Sequence, residues 1–342
     1  MNAMNVLLTC AGRRNYLVDC FRAALDGRGQ VYAADSSRDA PALHEADRAF
    51  VSPPVSHPEY IKHMLGLCRE NQVGLLVPLN DLELPLLARH RERFRDQGTV
   101  AVVSSSAVID ICFDKWATGH FLKCCGLAYP TTYLTLQEAQ AGLDRREVAL
   151  PLVIKPRWGT NSIGVMHVEH VDDLAPTYHL IKQQVGRSNL AEASAQNMER
   201  AILIQERIFG QEYGLDVLNN LNGQYVATLA RCKLSMRAGE TDRAVTVESN
   251  EFDRVGAVIG QQLSHEGNLD CDVFLAKDRM YVLELNPRFG GGYPFCHAAG
   301  ANLPAALIAW AFGEAPDPRW LRIRPGIRAA KCDRLVVLGS PF

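Results

Sequence analysis

Short apolar runs alternate with longer amphipathic segments in the first hundred residues of the chain. Continuous runs of this kind are typical of strands that are buried on both faces of a sheet. The segments between them are long enough for helices, so parallel pairing through right-handed crossovers is predicted. A Rossmann-like layer is therefore expected. The predicted strands are Asn5–Cys10, Gln30–Asp35, Val73–Leu79 and Thr99–Ser105.

The pattern changes after Ser106, where one amphipathic helix is predicted to run to a C-terminal stop at Gly126. Strands then follow one another closely, interrupted by a helical segment, Asp172–Gly186, and a polar segment, Arg187–Arg200. This order predicts an antiparallel α+β region. Its predicted strands are Pro151–Pro156, Ile163–Val168, Ala201–Ile208, Glu212–Asn219, Gln224–Leu234 and Asp242–Ser249, followed by a hairpin over Asp270–Asn286 that turns at Lys277–Arg279.

Composition excludes several classes of protein. The formal net charge is −2 and basic residues are scattered, so no nucleic-acid partner is expected. The ten cysteines form no CxxC pair, which favours reduced thiols. His167 and His170 lack a third ligand for a metal. We find no signal-peptide pattern and no apolar run of membrane-spanning length, so a cytoplasmic protein without a membrane partner is expected.

Acidic and amide side chains are placed two apart on both arms of the predicted hairpin. Asp270 and Asp272 share one face of the first arm, and Glu284 and Asn286 share one face of the second. Buried oxygen groups need a partner, and carboxylates that converge with nucleotide phosphates are the usual way of holding Mg²⁺. A solvated acidic hairpin is the alternative, but both arms are otherwise apolar.

Lys155 ends the apolar run of Pro151–Ile154 and precedes a glycine-containing turn. A lysine in this position needs an anion, and the turn's backbone N–H groups are suited to phosphate oxygens. A plain hairpin turn and a solvated Lys115 remain the alternatives for each segment taken alone. Glu206 and Glu212 flank a bend at Gly210, where a hinge offers groups to an adenine edge and to ribose hydroxyls.

In this order, Lys115, "VIKP" with its glycine loop, "IQERIFGQE", the D-x-D strand and "LELNPR" resemble the ATP-grasp superfamily. The closest resemblance is to single-module relatives of the carbamoyl phosphate synthetase large subunit, including the ligase of pyrrolysine biosynthesis. It implies a Rossmann-like pre-ATP-grasp domain over 1–106. It also implies a two-lobed ATP-grasp domain over 107–315, with the small lobe at about 120–205. A C-terminal tail, 316–342, is expected to pack on the core and to end in a strand-like segment from Asp333. A further lobe following this tail is compatible with the family.

The resemblance also implies the role of individual residues. Asp272, Glu284 and Asn286 correspond to Mg²⁺ ligands, with Asp270 as the alternative to Asp272 and Mn²⁺ as an alternative ion. Arg288, Arg231 and Lys233 correspond to catalytic positions near the phosphoryl or acyl group, and Gly291, Gly292 and Tyr293 to substrate-binding positions. The implied ATP-binding residues are Lys115, Lys155, Gly159, Thr160, Ser162, Gly164, Gln205, Glu206, Ile208 and Glu212.

The expected activity is that of an ATP-dependent carboxylate–amine ligase, which forms an amide through an acyl phosphate and uses two small-molecule substrates. Phosphorylation of bicarbonate or carbamate and a noncatalytic nucleotide-binding subunit are the alternatives. A dinucleotide oxidoreductase is weaker, because the first turn reads "CAGRR" and not GxGxxG. A homodimer is compatible with the family.

Overall fold

A computed structural model describes residues 3–159, 164–188, 190–248 and 250–339. The N-terminal part of the chain folds into a parallel sheet, as predicted, and this sheet has five strands in the order β3-β2-β1-β4-β5. Its strands are β1 Asn5–Thr9, β2 Val31–Asp35, β3 Arg48–Val51, β4 Val73–Pro78 and β5 Val100–Ala101. Its helices are α1 Asn15–Leu25, α2 Tyr60–Glu70 and α3 Leu84–Asp96. The strand order reverses between β1 and β4, so the turns that follow these two strands open onto a common crevice.

Two details of this sheet differ from the prediction. Strand β3 was not predicted, because three of its four residues are exposed at the sheet edge and give no apolar run. The predicted strand over Thr99–Ser105 is wrong in length, since only Val100 and Ala101 pair with β4. The apolar residues beyond Ala101 are buried without strand pairing. Burial alone therefore did not distinguish strand from loop here.

The single helix predicted after Ser106 is two helices, α4 Ser106–Phe113 and α5 Lys115–Cys124. Asp114 between them has an extended backbone, with φ −99° and ψ 103°, and its side chain accepts a hydrogen bond from the Trp116 N–H at 2.9 Å. An aspartate in this position is a favoured N-cap. The break places Lys115 at the first position of the second helix.

A four-stranded antiparallel sheet with the order β6-β9-β7-β8 follows. Its strands are β6 Thr132–Tyr133, β7 Leu152–Pro156, β8 Met166–Val168 and β9 Ile202–Glu206. Its helices are α6 Leu136–Asp144, α7 Leu174–Gly186 and the short α8 Ala191–Ser194. The inner face of β7 and β9 packs on α7 through Ile154, Ile204 and Ile181.

The largest sheet has six antiparallel strands in the order β14-β13-β10-β11-β12-β15. Its strands are β10 Gln211–Asn219, β11 Tyr225–Arg237, β12 Glu240–Thr246, β13 Gly267–Ala276, β14 Arg279–Asn286 and β15 Arg328–Ala330. Its helices are α9 Asn250–Leu263, α10 Tyr293–Ala298 and α11 Leu303–Ala311. The register aligns Asp272 with Glu284 and Asp270 with Asn286, as the predicted hairpin required.

A shared core joins the parallel sheet to the six-stranded sheet. The Phe289 ring lies 6.0 Å from that of Phe21 on α1 and 4.8 Å from that of Tyr293 on α10. Helix α11 is buried in the same core along most of its length. No helix in the described ranges is long and apolar enough to cross a membrane.

The C-terminal tail is described as far as residue 339. Trp320 and Leu321, in a short 3₁₀ turn, pack on the shared core, and β15 pairs with β12. The strand predicted from Asp333 is wrong within the described residues, which form no strand after Ala330. Leu335 is 98% exposed, so no sheet covers its apolar side chain. We keep the domain limits at residues 106 and 315 as a proposal.

Burial of His265 makes the stability of the fold depend on pH. Its side chain is fully buried and one ring nitrogen lies 3.0 Å from the Val217 carbonyl oxygen. Burial lowers the pKa of His265 to about 4. Because the unfolded chain binds this proton at higher pH than the folded chain does, the contribution is lost as pH falls from the unfolded value toward 4.

We expect the free energy of unfolding to fall by roughly 2 kcal/mol more in the wild type than in His265→Gln between about pH 7 and about pH 5. Urea unfolding at both pH values measures this difference. His63→Gln, which alters an exposed histidine of α2, should keep the wild-type pH dependence. An unchanged pH dependence in His265→Gln would contradict the assignment.

Candidate active site

A cavity of about 670 Å³ lies between the four-stranded and six-stranded sheets, within the range of sites for nucleotides and other small ligands. Most of the residues predicted for the site line it, although they come from segments that are far apart in the sequence. These residues are Lys115, Lys155, Gly159, Gln205, Glu206, Ile208, Glu212, Arg231, Lys233, Asp272, Glu284, Asn286, Arg288, Gly291 and Gly292. Thr160 and Ser162 lie outside the described residues.

Two lysines are buried together on one side of the cavity. Lys115, at the start of α5, donates to the Gly159 carbonyl at 2.5 Å and lies 3.6 Å from a Glu284 carboxylate oxygen. Burial and the charge of Lys115 lower the pKa of Lys155 to about 8, against weaker opposing effects of Glu284 and Asp272. Two buried cations with so few counter-charges favour binding of a polyanion.

Three oxygen-bearing side chains on β13 and β14 face these lysines. Asp272 and Glu284 are cross-strand neighbours, and the Asn286 amide lies 3.4 Å from Glu284 Oε1. Burial raises the pKa of Asp272 to about 6, although Lys233 opposes the shift. Burial also acts to raise the pKa of Glu284, but the charges of Lys115 and Lys155 outweigh it and lower that pKa.

Within the described ranges, no three His, Cys, Asp or Glu side chains form a ready-made metal site. His167 lies on strand β8 and not on a helix, so it does not share a helical face with His170. Two carboxylates and an amide suit a divalent ion that takes its remaining ligands from phosphate and water, which is how Mg²⁺ is usually held. The donor set of Asp272, Glu284 and Asn286 therefore fits Mg²⁺.

Asp270, the alternative metal ligand, is already paired with two arginines. One carboxylate oxygen accepts from Arg231 at 2.8 Å and the other from Arg288 at 3.1 Å. Asp272 makes one such contact, with Lys233 at 2.6 Å. Asp272 is therefore the better placed of the two for a metal.

Arg231 is 1% exposed and lies between two carboxylates. Its terminal nitrogens donate to Asp216 at 2.5 Å and to Asp270 at 2.8 Å, while its Nε has no partner among the described residues. Burial acts to lower its pKa, and Asp216 and the other neighbouring groups outweigh burial and raise it. The guanidinium remains charged, with one unpaired donor.

Arg288 connects the site to the parallel sheet. Its guanidinium binds Asp270 and, at 3.0 and 3.2 Å, Asp81 in the segment after β4. Asp216 was not predicted as a site residue. Asp216 interrupts the apolar run of β10, and that interruption was the available signal.

The predicted adenine hinge lies at the end of β9. Gln205 donates to the Thr132 hydroxyl at 2.8 Å, and Glu206 accepts from the Thr131 N–H at 3.1 Å. Glu212, predicted to face ribose, forms an ion pair of 2.7 Å with Lys233. Lys233 therefore bridges Glu212 and Asp272. A bound phosphate would share the Lys233 ammonium group with these two carboxylates.

The three glycines after Arg288 are required by the side chains packed on them. A Cβ atom at Gly290 would overlap the Asp270 carboxylate, and one at Gly292 would overlap the Arg231 guanidinium. A Cβ at Gly291 would lie 2.9 Å from the Glu240 carboxyl carbon. These glycines let charged side chains lie against the backbone.

Two predicted residues of the site lie away from the cavity. Tyr293 is fully buried in the shared core, where its hydroxyl accepts from the Leu303 N–H at 2.9 Å, so its prediction as a substrate contact is not supported by its position. Gly164 does not line the cavity and has a φ of +70°, a conformation that favours glycine.

Two family models match the chain. "PylC-like, N-terminal domain" matches residues 6–103, and "ATP-grasp in the biosynthetic pathway with Ter operon" matches residues 198–335. The carbamoyl phosphate synthase large chain of Mesorhizobium japonicum is 23% identical over 260 residues, and that of Mycobacterium bovis is 24% identical over 238 residues. Each alignment covers 67% of this chain, but 22% and 20% of the relatives, so the chain spans about a fifth of their length.

Two solved structures illustrate the similarity in fold. The biotin carboxylase domain of Hydrogenobacter thermophilus 2-oxoglutarate carboxylase, a dimer solved with ADP, its magnesium salt and bicarbonate, has a TM-score of 0.71 at 15% identity. The comparison covers 92% of this chain and 71% of that one. An L-amino acid ligase from Bacillus licheniformis has a TM-score of 0.68 at 19% identity, covering 95% and 78%.

The fold is therefore a Rossmann-like domain followed by the two lobes of an ATP-grasp fold. The N-terminal part of the chain is therefore similar to PylC-like proteins, and residues 198–335 are similar to ATP-grasp proteins.

Arg231→Met should lower the free energy of unfolding by about 3–5 kcal/mol, because it leaves Asp216 buried without a cation and removes one of the two arginines that bind Asp270. Adding Asp216→Asn should recover part of the loss. Denaturant unfolding measures both effects. Arg237→Met, on the same strand but in an exposed ion pair, should change stability little. An equally small effect of Arg231→Met would contradict a structural role for this network.

Nucleotide binding should take up protons at about pH 9, because phosphates favour the charged form of Lys155, whose pKa is about 8 in the free protein. At about pH 7 the lysine is already charged and uptake should be small. Calorimetry in buffers of different ionisation enthalpy measures the uptake. It should disappear in Lys155→Met and persist in Lys62→Met, which alters an exposed lysine of α2. Uptake that persists in Lys155→Met would assign it to another group.

Proposed function

We propose that the chain is an ATP-dependent carboxylate–amine ligase that forms an amide through an acyl phosphate and releases ADP and phosphate. One observation carries this proposal. Two buried lysines line the same cavity as Asp272, Glu284 and Asn286, which lie on two neighbouring strands. Nucleotide binding alone does not require buried carboxylates beside the phosphate lysines. Phosphoryl transfer does, because these carboxylates would hold the Mg²⁺ that would neutralise charge on the phosphates.

The position of each residue in the cavity indicates the role that we propose for it. Lys115 and Lys155 would bind the ATP phosphates, and the hinge of Gln205, Glu206 and Ile208 would bind the adenine. Asp272, Glu284 and Asn286 would hold Mg²⁺, which supplies charge neutralisation between the phosphates and an incoming carboxylate when it is bound. Arg231 and Arg288 line the same cavity and would place positive charge beside the transferring or acyl group.

The proposed reaction needs no nucleophile from the protein. A substrate carboxylate oxygen attacks the γ-phosphorus of ATP, and the bond to the bridging oxygen breaks to release ADP. The amine then attacks the acyl carbon, phosphate leaves with the electron pair of the C–O bond, and the amine loses a proton. The protein contributes orientation and a preorganised field, because Arg231, Lys233 and Arg288 are already fixed by ion pairs.

Bicarbonate is the second candidate acceptor. The curated relatives are carbamoyl phosphate synthase large chains, and one structural neighbour was solved with bicarbonate. In this reading the same residues activate bicarbonate in place of an organic carboxylate. ADP formation that requires bicarbonate, with no organic acid present, would favour it. A homodimer, Mn²⁺ as a substitute metal and a cytoplasmic location remain predictions.

The direct test is Mg²⁺-dependent ADP formation across pairs of acids and amines, with mass spectrometry of the same samples. We expect a product whose mass equals acid plus amine minus water. Glu284→Gln should lower ADP formation roughly 100-fold or more, because it removes a carboxylate that would hold Mg²⁺ beside the transferring phosphate. Glu59→Gln, an exposed carboxylate beside α2, is the control. ADP release without a condensed product for any pair would count against the ligase.

A further inference from the structure

An aspartate and an arginine form an ion pair next to the two buried lysines, and the proposed reaction uses neither of them. Asp114 immediately precedes Lys115, and Arg157 follows strand β7 two residues after Lys155. The Arg157 Nε and a terminal nitrogen donate to the two Asp114 carboxylate oxygens at 2.7 and 2.6 Å. The Arg157 and Asp114 side chains are 14% and 15% exposed, so solvent and salt screen this bidentate pair only weakly.

Main-chain contacts join the same two segments. The Lys115 N–H donates to the Arg157 carbonyl oxygen at 3.2 Å, and Asp114 forms an isolated antiparallel bridge with Trp158. The Arg157 N–H in turn donates to the carbonyl oxygen of Ala201, just before β9, at 2.8 Å. The start of α5 is therefore attached to the end of β7 through both backbone and side-chain contacts.

A further contact from outside α5 holds the Lys115 backbone. The Tyr129 hydroxyl donates to the Lys115 carbonyl oxygen at 2.9 Å, and its ring packs against Gly119, where a Cβ atom would lie 2.5 Å away. The Lys115 ammonium group contacts two cavity-lining residues, Gly159 through its carbonyl oxygen and Glu284 through its carboxylate. The backbone of this lysine is thus fixed from outside its helix, while its charged end lies at the cavity.

The two lysines are carried by different parts of the fold. Helix α5 packs on β14 of the six-stranded sheet, whereas β7 belongs to the four-stranded sheet. Their ammonium groups repel each other, and a lysine has a flexible stem that gives no directional constraint of its own. The distance between the two charges therefore depends on the contact between the two segments, and the Asp114–Arg157 pair is the charged part of that contact.

We infer that Asp114 and Arg157 are positioning residues, which set the separation of the Lys115 and Lys155 ammonium groups to fit a chain of linked phosphates. Neither residue lines the cavity. Asp114 acts through the lysine that follows it, and Arg157 acts through the end of β7. A planar guanidinium suits this role because its two parallel hydrogen bonds fix an angle as well as a distance. The inference rests on the proposed function, because it concerns the nucleotide of the same cavity.

Calorimetric titration with Mg²⁺ and either adenosine or a nonhydrolysable ATP analogue tests the inference without turnover. Arg157→Met should weaken binding of the ATP analogue roughly tenfold or more, because the lysines are no longer held at the separation that fits the phosphates. Binding of adenosine, which has no phosphate, should be nearly unaffected. Arg157→Lys should recover little of the loss, because lysine keeps the charge but cannot form the bidentate pair.

The matched control is Arg145→Met. Arg145 forms the same kind of bidentate pair, with Glu147 at 2.7 and 3.2 Å, but this pair lies at the surface and away from the cavity. The control should bind both ligands like the wild type. Urea unfolding of each variant before titration shows that it is folded.

Asp114→Asn separates the ion pair from the helix cap. Asparagine is as good an N-cap as aspartate, so α5 should still begin at Lys115, but the charge that binds Arg157 is lost. We expect Asp114→Asn to weaken binding of the ATP analogue about as much as Arg157→Met does. The double variant should be no weaker than either single variant, because both remove the same pair.

A second cycle distinguishes positioning from general support of the fold. Lys115→Met alone should weaken binding of the ATP analogue, and adding Arg157→Met should cause little further loss, because one of the two charges that the pair separates is already absent. Losses that add in this background would overturn the positioning role. Equal weakening of adenosine and the ATP analogue by Arg157→Met would also overturn it.

The proposed function fails in a different way. Selective weakening of the ATP analogue, together with ADP release but no condensed product from any acid and amine, would support the positioning pair and remove the ligase reaction. A wild type that binds adenosine and the ATP analogue equally would remove the positioning role, because the phosphates would then contribute nothing to affinity.

Discussion

A buried chain of alternating charges, Asp216–Arg231–Asp270–Arg288–Asp81, is the constraint on which the active site depends. It joins the central strands β10, β11 and β13 to the loop after β14 and to the segment after β4. Each member is costly to bury alone and acceptable only with its neighbours. The network therefore fixes the position of the six-stranded sheet relative to the Rossmann-like layer, and it holds two arginines at the cavity wall.

The glycine run after Arg288 follows from the same constraint. The Asp270 and Arg231 side chains lie directly against the backbone at 290 and 292, so no Cβ atom fits there. Gly291 has the same relation to Glu240 on the edge toward β12. One short segment thus packs against the buried network on one side and against Glu240 on the other. Packing of charged groups, and not chain flexibility, explains why three glycines are consecutive.

The positively charged and the oxygen-bearing side chains lie on different sides of the cavity. The lysines 115 and 155 form a cationic side, and Asp272, Glu284 and Asn286 form an oxygen-rich side opposite. Because Lys115 also contacts Glu284, the two sides already interact before any ligand is present. Under the proposed function, a polyanion with a divalent ion would replace these partial contacts by full ones. This exchange would favour binding of a metal–nucleotide complex in a site that is otherwise costly to form.

The sequence by itself determined the parallel first layer, the hairpin of β13 and β14 and most of the cavity wall, because side-chain alternation and motif order are local properties of the chain. It did not reveal the helix break at Asp114, which depends on a cap. Nor did it reveal that Asp270 belongs to two arginines, or that Tyr293 lies in the core, since these depend on partners distant in sequence. Tertiary structure decided which charges neutralise one another, because the partners of each buried charge are brought together only by the packing of the three sheets.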